Sequence, residues 1–147
     1  MRVFPPLLCC LVLALAGCSR HVAQVRGVAP LNRNAEGEST PDDVRFYLLA
    51  GDNAFARASF AALWTDPTSA LGAELLGPPT VVTVLPGAAV DAAQVVALSG
   101  STASWVGVQL LVRREGDLPR TLLIPVDRLG SSVIEATGYG LRLAERR

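Results

Sequence analysis

Trp105-Val106-Gly107-Val108-Gln109-Leu110-Leu111-Val112-Arg113 carries the clearest alternation in the chain. Val106, Val108, Leu110 and Val112 fall on one face, as the period of two in a β-strand requires, and that face is wholly apolar. On the C-terminal side, Glu115-Gly116-Asp117 turns the run into Arg120 to Val126, where Leu122, Ile124 and Val126 share a face and Pro125 suits an edge position. Val133 to Ala136 and Tyr139 to Ala144 supply two further short strands. Upstream lie two β-branched runs, Thr80 to Leu85 ended by Pro86-Gly87 and Val90 to Leu98 ended by Ser99-Gly100. Trp105, at the head of the central run, is read as structural, buried between sheets or capping one end.

Further back, Asp43-Val44-Arg45-Phe46-Tyr47-Leu48-Leu49 alternates again, with Val44, Phe46 and Leu48 on one side and Arg45 and Tyr47 on the other, the pattern of a half-buried strand. Ser19 to Ala29 forms a first strand in which Val22, Val28 and Val25 are the apolar candidates, though their spacing leaves the register open. Between the second and third strands the period changes. Asp52 is placed to cap a helix carrying Phe55, Ser59, Phe60, Leu63 and Trp64. Asp66-Pro67 opens a second helix with Leu71, Leu75 and Leu76, stopped by Gly77-Pro78-Pro79. Apolar residues at helical spacing mainly cover a sheet, so the aromatic stripe is read as packing. The expected fold is therefore all-β: a two-sheet sandwich of about eight strands, with a short helical insertion over residues 52–76.

Leu31-Asn32-Arg33-Asn34-Ala35-Glu36-Gly37-Glu38-Ser39-Thr40-Pro41, between strands one and two, is polar, rich in turn formers and offers almost nothing to bury. Such a segment makes an exposed loop, and long loops on rigid scaffolds often carry function.

The N-terminus reads differently. Met1-Arg2 precedes a short apolar run to Ala16, too short for the roughly 20 residues of a spanning helix. A basic start, an apolar region and small residues at the cut are the marks of a removed signal. The run ends in Leu15-Ala16-Gly17-Cys18, which resembles the lipobox of bacterial lipoproteins. That resemblance implies a signal peptide over 1–17, lipid on the Cys18 sulfur, and acylation of the new N-terminal nitrogen. Each buried methylene contributes about 0.8 kcal/mol, so several acyl chains make the anchor effectively permanent. Residues 18–21 then form a tether, and 22–147 the sandwich domain, long enough to bury roughly two-thirds of its unfolded surface.

Composition excludes several classes. The chain has 13 basic and 13 acidic residues, and removal of the signal takes only Arg2, so no basic block points to nucleic acid. Cys9 and Cys10 leave with the signal and Cys18 is consumed by lipid, so no thiol remains for a disulfide or a zinc site. His21 is the single histidine, read as a solvated linker residue, so a serine or cysteine nucleophile in the folded part has no histidine base. The sequence carries no GxxxxGK[ST], CxxC, HExxH or EF-hand pattern. A non-enzymatic binding body with no cofactor and no metal is expected. Two rivals stay in view: a stand-alone envelope lipoprotein for a small ligand or cell-wall fragment, needing a concave apolar pocket, and a hydrolase, needing two carboxyl groups at working distance.

Leu31-Asn32, Asn34-Ala35-Glu36-Gly37-Glu38-Ser39 and Pro41, then Val44-Arg45-Phe46-Tyr47-Leu48, Ala54-Phe55, Ala58, Phe60, Leu63-Trp64 and Ala70-Leu71-Gly72-Ala73-Glu74-Leu75-Leu76, occur in an order that resembles the TssJ family, the outer-membrane lipoprotein of the type VI secretion membrane complex. With the lipobox, the resemblance runs from Leu15 to about Leu76, and more loosely through Leu85-Pro86-Gly87. It does not extend to Ser131–Arg147, and Asp42-Asp43 stand where members more often show apolar residues. The resemblance implies a transthyretin-like sandwich with a helical element, facing the periplasm from the outer membrane. It also implies a partner, the C-terminal periplasmic region of the large inner-membrane subunit, the TssM family. In relatives the loop joining the first two strands contributes to that grip, which here corresponds to Asn32, Arg33, Asn34, Ala35, Glu36, Gly37, Glu38, Ser39 and Thr40.

Overall fold

A computed structural model describes residues 20–87, 93–100, 102–112 and 116–146. The signal 1–17, Cys18, the start of the run at Val90, Arg113 and Glu115 lie outside the described residues. The described residues form eight strands: β1 (Arg20–Gly27), β2 (Asp42–Leu49), β3 (Thr80–Val84), β4 (Gln94–Ser99), β5 (Trp105–Leu110), β6 (Thr121–Pro125), β7 (Ser132–Thr137) and β8 (Gly140–Glu145). They form two four-stranded sheets, ordered β4-β1-β7-β8 and β3-β2-β5-β6. Neighbours pair antiparallel except β1 and β7, which run parallel through Val25↔Ile134 and Gly27↔Ala136. Ser131–Arg147, beyond the reach of the family resemblance, therefore supplies half of the first sheet.

The inner faces meet in one core. Val44, Phe46 and Leu48 from β2, Val106, Val108 and Leu110 from β5 and Ile124 from β6 pack against Ala23 and Val25 of β1, Leu98 of β4, Ile134 of β7 and Leu141 of β8. β6, with Pro125, is an edge strand as its proline demands. In β1 the register differs from the expected one. Ala23, Val25 and Gly27 turn inward and Val22 is exposed, because pairing with β4 and β7 decides the facing and the spacing of the valines does not. The strand includes Arg20 and His21, which the expected boundaries assign to the tether. His21 is thus a strand residue paired with Leu98, its Nε2 shielded from solvent, and not part of a solvated linker.

Between β2 and β3 lie three short helices, α1 (Asn53–Arg57), α2 (Phe60–Thr65) and α3 (Pro67–Leu71), followed by a 3-10 turn over Gly72–Glu74. The expected first helix is split, because the chain turns extended at Ala58 and Ser59 caps α2 by accepting from the Ala62 N–H. Asp66 caps α3 as expected, accepting from the Ser69 N–H. Gly72 ends that helix, so Leu75 and Leu76 lie beyond it. Asp52 precedes α1 without a side-chain cap, and the Ala54 N–H is satisfied instead by Glu74 Oε2 at 2.9 Å.

These helices close over the outer face of the second sheet. Phe55, Leu63 and Leu71 pack on Tyr47 and Leu49, with Trp105 and Leu123 against them, so β2 is buried on both sides rather than half-buried, and Trp105 packs under the helices and not between the sheets. Gly107 is required here, since a Cβ would lie 2.4 Å from the Phe55 ring. Tyr47, fully buried, gives its hydroxyl proton to Gln109 Oε1 at 2.5 Å, with the Leu63 carbonyl oxygen 3.0 Å away, while Gln109 Nε2 donates to the Phe60 carbonyl. Burial pushes the Tyr47 phenol above its ordinary value, which keeps it a donor. Arg45 lies over the Trp64 ring at 3.7 Å and Arg120 over Phe60 at 4.1 Å.

Two outcomes follow. Tyr47→Phe leaves buried Gln109 Oε1 without its donor and is expected to lower the free energy of unfolding by about 1–3 kcal/mol in urea titrations. On the outer face of the first sheet, Glu135 is held between Arg26 and Arg142. Burial opposes its ionisation, but the hydrogen bonds and charges of both guanidiniums outweigh it and keep the carboxyl below its usual range. Its stabilisation is therefore complete above the ordinary carboxylate range and is lost as pH falls through the lowered folded value. Glu135→Gln is expected to remove that portion of the acid limb in a plot of stability against pH.

Candidate functional site

β1 and its neighbours divide the surface into two poles. At one pole stand Arg20, the end of β4 at Ser99, the 3-10 turn over Val126–Ser131 and Arg146, whose N–H bonds the Ser131 carbonyl. The chain leading to Cys18 enters there. Eight residues of extended chain carry β1 about 26 Å to the opposite pole. There lie the 28–41 loop, the end of β3 and the β7–β8 turn.

The loop is polar but not empty of anchors. Leu31 is fully buried in the main core, contrary to the expectation that this stretch has almost nothing to bury. Its root is sewn to β7 by Val28 N–H to the Ala136 carbonyl at 2.8 Å and by Gly138 N–H to the Pro30 carbonyl at 2.6 Å. Asn32, at φ 35, takes a left-handed conformation that asparagine tolerates, and its buried amide donates to the Pro41 carbonyl. Ser39 Oγ accepts from the Leu31 N–H, and Thr40 donates to the Asn32 carbonyl. Arg33 bridges Ser39 across the loop.

Beyond that bridge the chain makes one tight turn. Asn34 N–H bonds the Glu38 carbonyl, Glu38 N–H returns to Asn34 Oδ1 at 2.8 Å, and Gly37 N–H bonds the Asn34 carbonyl. The nine residues expected to bind a partner therefore divide into two groups. Asn32, Ser39 and Thr40 are spent holding the loop shut. Arg33, Ala35, Glu36, Gly37 and Glu38 are exposed at the tip, with Asn34 half-buried as its clasp.

Beside the loop root is an open cleft of about 370 Å³ lined by Asn32, Pro41, Asp42, Asp43, Leu111 and Val112. It holds two carboxylates, but as strand neighbours they point to opposite faces. Asp42 is buried and accepts the Asp43 N–H, whereas Asp43 accepts from the Thr83 hydroxyl at 2.6 Å. Opposed side chains do not flank one scissile bond. The lining is mixed, with Asn32, Asp42 and Asp43 beside Pro41, Leu111 and Val112, and lacks the aromatic side chains and enclosure of a small-ligand pocket. Among the described residues no helix is long and apolar enough to cross a membrane.

Comparison with known proteins adds a family. The T6SS-SciN family model, described as type VI secretion lipoprotein, VasD, EvfM, TssJ, VC_A0113, matches residues 20–135. Lip of Serratia marcescens, a membrane bound component of the Type VI Secretion System, shares the fold at a TM-score of 0.73 with 20% identity, over 86% of this chain and 97% of that one. The lipoprotein TssJ1 of Pseudomonas aeruginosa gives 0.71 with 22% identity, over 88% and 98%. A chain in the structure described as "T6SS protein TssM C-terminal domain (869-1107) from EAEC" gives 0.70 with 20% identity, over 86% and 98%. No curated protein matches the chain.

The clasp makes a local test. Asn34→Ala removes the acceptor of the Glu38 N–H without touching the core. Amide exchange at Glu38 and Gly37 is expected to accelerate while the exchange of β1 and β5 amides and the melting temperature stay as in the wild type.

Proposed function

This chain belongs to the TssJ family of type VI secretion lipoproteins, and we propose that it is a lipid-anchored structural subunit holding the periplasmic C-terminal region of a TssM-family protein to the outer membrane. The observation that carries the reading is the family match over most of the domain. It is supported by a pre-shaped polar loop at the pole remote from the entering N-terminus. A solved structure described as the TssM C-terminal domain contains a chain of this fold, which points to the same class of partner.

In this reading residues 1–17 are removed, Cys18 carries the lipid, and β1 is already under way at Arg20, two residues along the chain from the anchor. The domain cannot then drift far from the bilayer. Ser19 after the cysteine is not the aspartate associated with inner-membrane retention in enteric bacteria, in keeping with an outer-membrane destination. Arg33, Ala35, Glu36, Gly37 and Glu38 meet the partner, on a loop held in shape by Asn32, Asn34, Ser39 and Thr40. Ordering entropy is paid at folding and not at binding, which favours a modest interface. Anchoring raises the effective concentration of partner sites further. The role is to hold and not to transform: no reacting group is assigned.

One experiment separates anchor from grip. Full-length chain, expressed with its TssM-family partner, is fractionated and captured in three forms. The wild type is expected in the outer-membrane fraction with partner retained. Cys18→Ser is expected to leave the outer-membrane fraction while still capturing the partner. Arg33→Ala/Glu36→Ala/Glu38→Ala is expected to stay in the outer membrane and bind at least about tenfold more weakly. Outer-membrane retention of Cys18→Ser rules out the lipid anchor, and undiminished capture by the triple variant removes the loop tip from the interface.

A further inference from the structure

The loop tip offers charged groups and no large apolar side chain, and exposed charged groups contribute little to affinity compared with apolar anchors that become fully desolvated. Two large apolar side chains flank this loop. Tyr139, in the β7–β8 turn, is 53% exposed, and Leu85, just past β3, is 59% exposed. We infer that Tyr139 and Leu85 are the apolar anchors of the partner interface, seated on either side of the loop. This rests on the reading that the loop pole meets the TssM-family periplasmic region.

Both positions are fixed by the loop's own root. Gly138, the residue before Tyr139, lies against Pro30 so closely that a Cβ would be 2.7 Å from the Pro30 carbonyl oxygen and 3.8 Å from the Asn32 nitrogen. The turn is tied down from the other side as well. Tyr139 N–H donates to Thr137 Oγ1, the Tyr139 carbonyl accepts from the Leu118 N–H at 3.0 Å, and Gly140, at φ 129, sits where a Cβ would meet the Leu118 carbonyl at 2.4 Å. Leu85 is placed by both ends of the loop. Its carbonyl oxygen would be 2.2 Å from a Cβ on Gly27, the last residue of β1, and the β2–β3 register Asp42↔Val84 sets it across from Pro41.

An exposed leucine or tyrosine alone means little. Here two of them stand on rigid backbone at one pole, with a charged, hydrogen-bonded loop between. That arrangement matches the anatomy of a protein interface, apolar anchors beside a polar rim that sets register. Tyrosine suits such a position, since its ring buries area with few rotatable bonds and its hydroxyl can remain wet. Among the described residues the other large exposed apolar side chains, Val22, Val81, Val95 and Leu143, are spread along strand faces and edges and do not converge on the loop. The occupant implied is a surface of the partner with an apolar depression for an aromatic ring, bordered by groups that pair with Arg33 and Glu36.

The test uses the full-length lipoprotein, solubilised from its membrane, and the periplasmic region of the TssM-family protein of the same organism. Dissociation constants are measured for wild type, Tyr139→Ala, Leu85→Ala, Tyr139→Phe and Val95→Ala, with melting temperatures for each. Tyr139→Ala and Leu85→Ala are each expected to weaken binding by about tenfold or more at an unchanged melting temperature. Tyr139→Phe, which keeps the ring, is expected to stay within about twofold, and Val95→Ala to bind like the wild type. If both alanine variants bind like the wild type while the loop-tip variant fails, the anchors are wrongly assigned and the loop-pole reading survives. Wild-type chain that does not bind the periplasmic region at all overturns the reading and this inference together.

Discussion

A sheet buried on both faces leaves a small protein few places to be functional. In the β3-β2-β5-β6 sheet the central strands β2 and β5 are placed this way: one face meets the partner sheet through Phe46, Val106 and Val108, and the other carries α1, α2 and α3 on Tyr47 and Leu49. The Tyr47 hydroxyl and the Gln109 amide, trapped beneath the helices, are satisfied internally, Tyr47 by Gln109 and Gln109 by the Phe60 carbonyl. A buried network of this kind fixes the helices in one position, because any displacement strands a polar atom away from water. What stays available is the outer face of the other sheet, the edge strand β3 and the two poles.

The poles differ in how they are built. One receives the incoming chain and ends in short turns. The other gathers a loop, a strand end and a turn that hold each other through Pro30, Asn32, Gly138 and Gly27. Its polar residues do two jobs that sequence composition merges into one. Asn32, Ser39 and Thr40 satisfy backbone groups at the root, while Arg33, Glu36 and Glu38 reach solvent. A loop stiffened this way presents its tip at a constant angle to the sandwich, which suits recognition of a partner more than accommodation of a small ligand.

Much of the fold was legible because inward faces obey a period of two. Val106, Val108, Leu110 and Val112, and Leu122 and Ile124, could be assigned with no knowledge of neighbours. What escaped depended on distant elements. Tyr47 beside Arg45 reads as a solvent-facing stripe, and only the helices arriving later in the chain bury it. The break at Ala58 is invisible, since alanine is the best helix former and Ser59 restarts the next helix. In β1, valines three apart fit neither strand face, and hydrogen bonding to β4 and β7 chose Ala23 and Val25. At the site, the loop was readable from its polarity and from its resemblance to a family, but Leu31 within it was not. Tyr139 looked like the opening residue of a strand, and only the turn geometry reveals it as a protruding side chain next to the loop.

β1 lies inside its sheet, hydrogen-bonded along one edge to β4 and along the other to β7. A secretion machine is a source of mechanical load, and in the proposed assembly that load would enter at the loop and leave through Cys18, along the axis of this strand. Ladder hydrogen bonds lie across the strand direction, so a pull along it stresses them in shear, all at once, instead of peeling them singly. The domain would then resist traction best in the one direction in which its two attachments apply it.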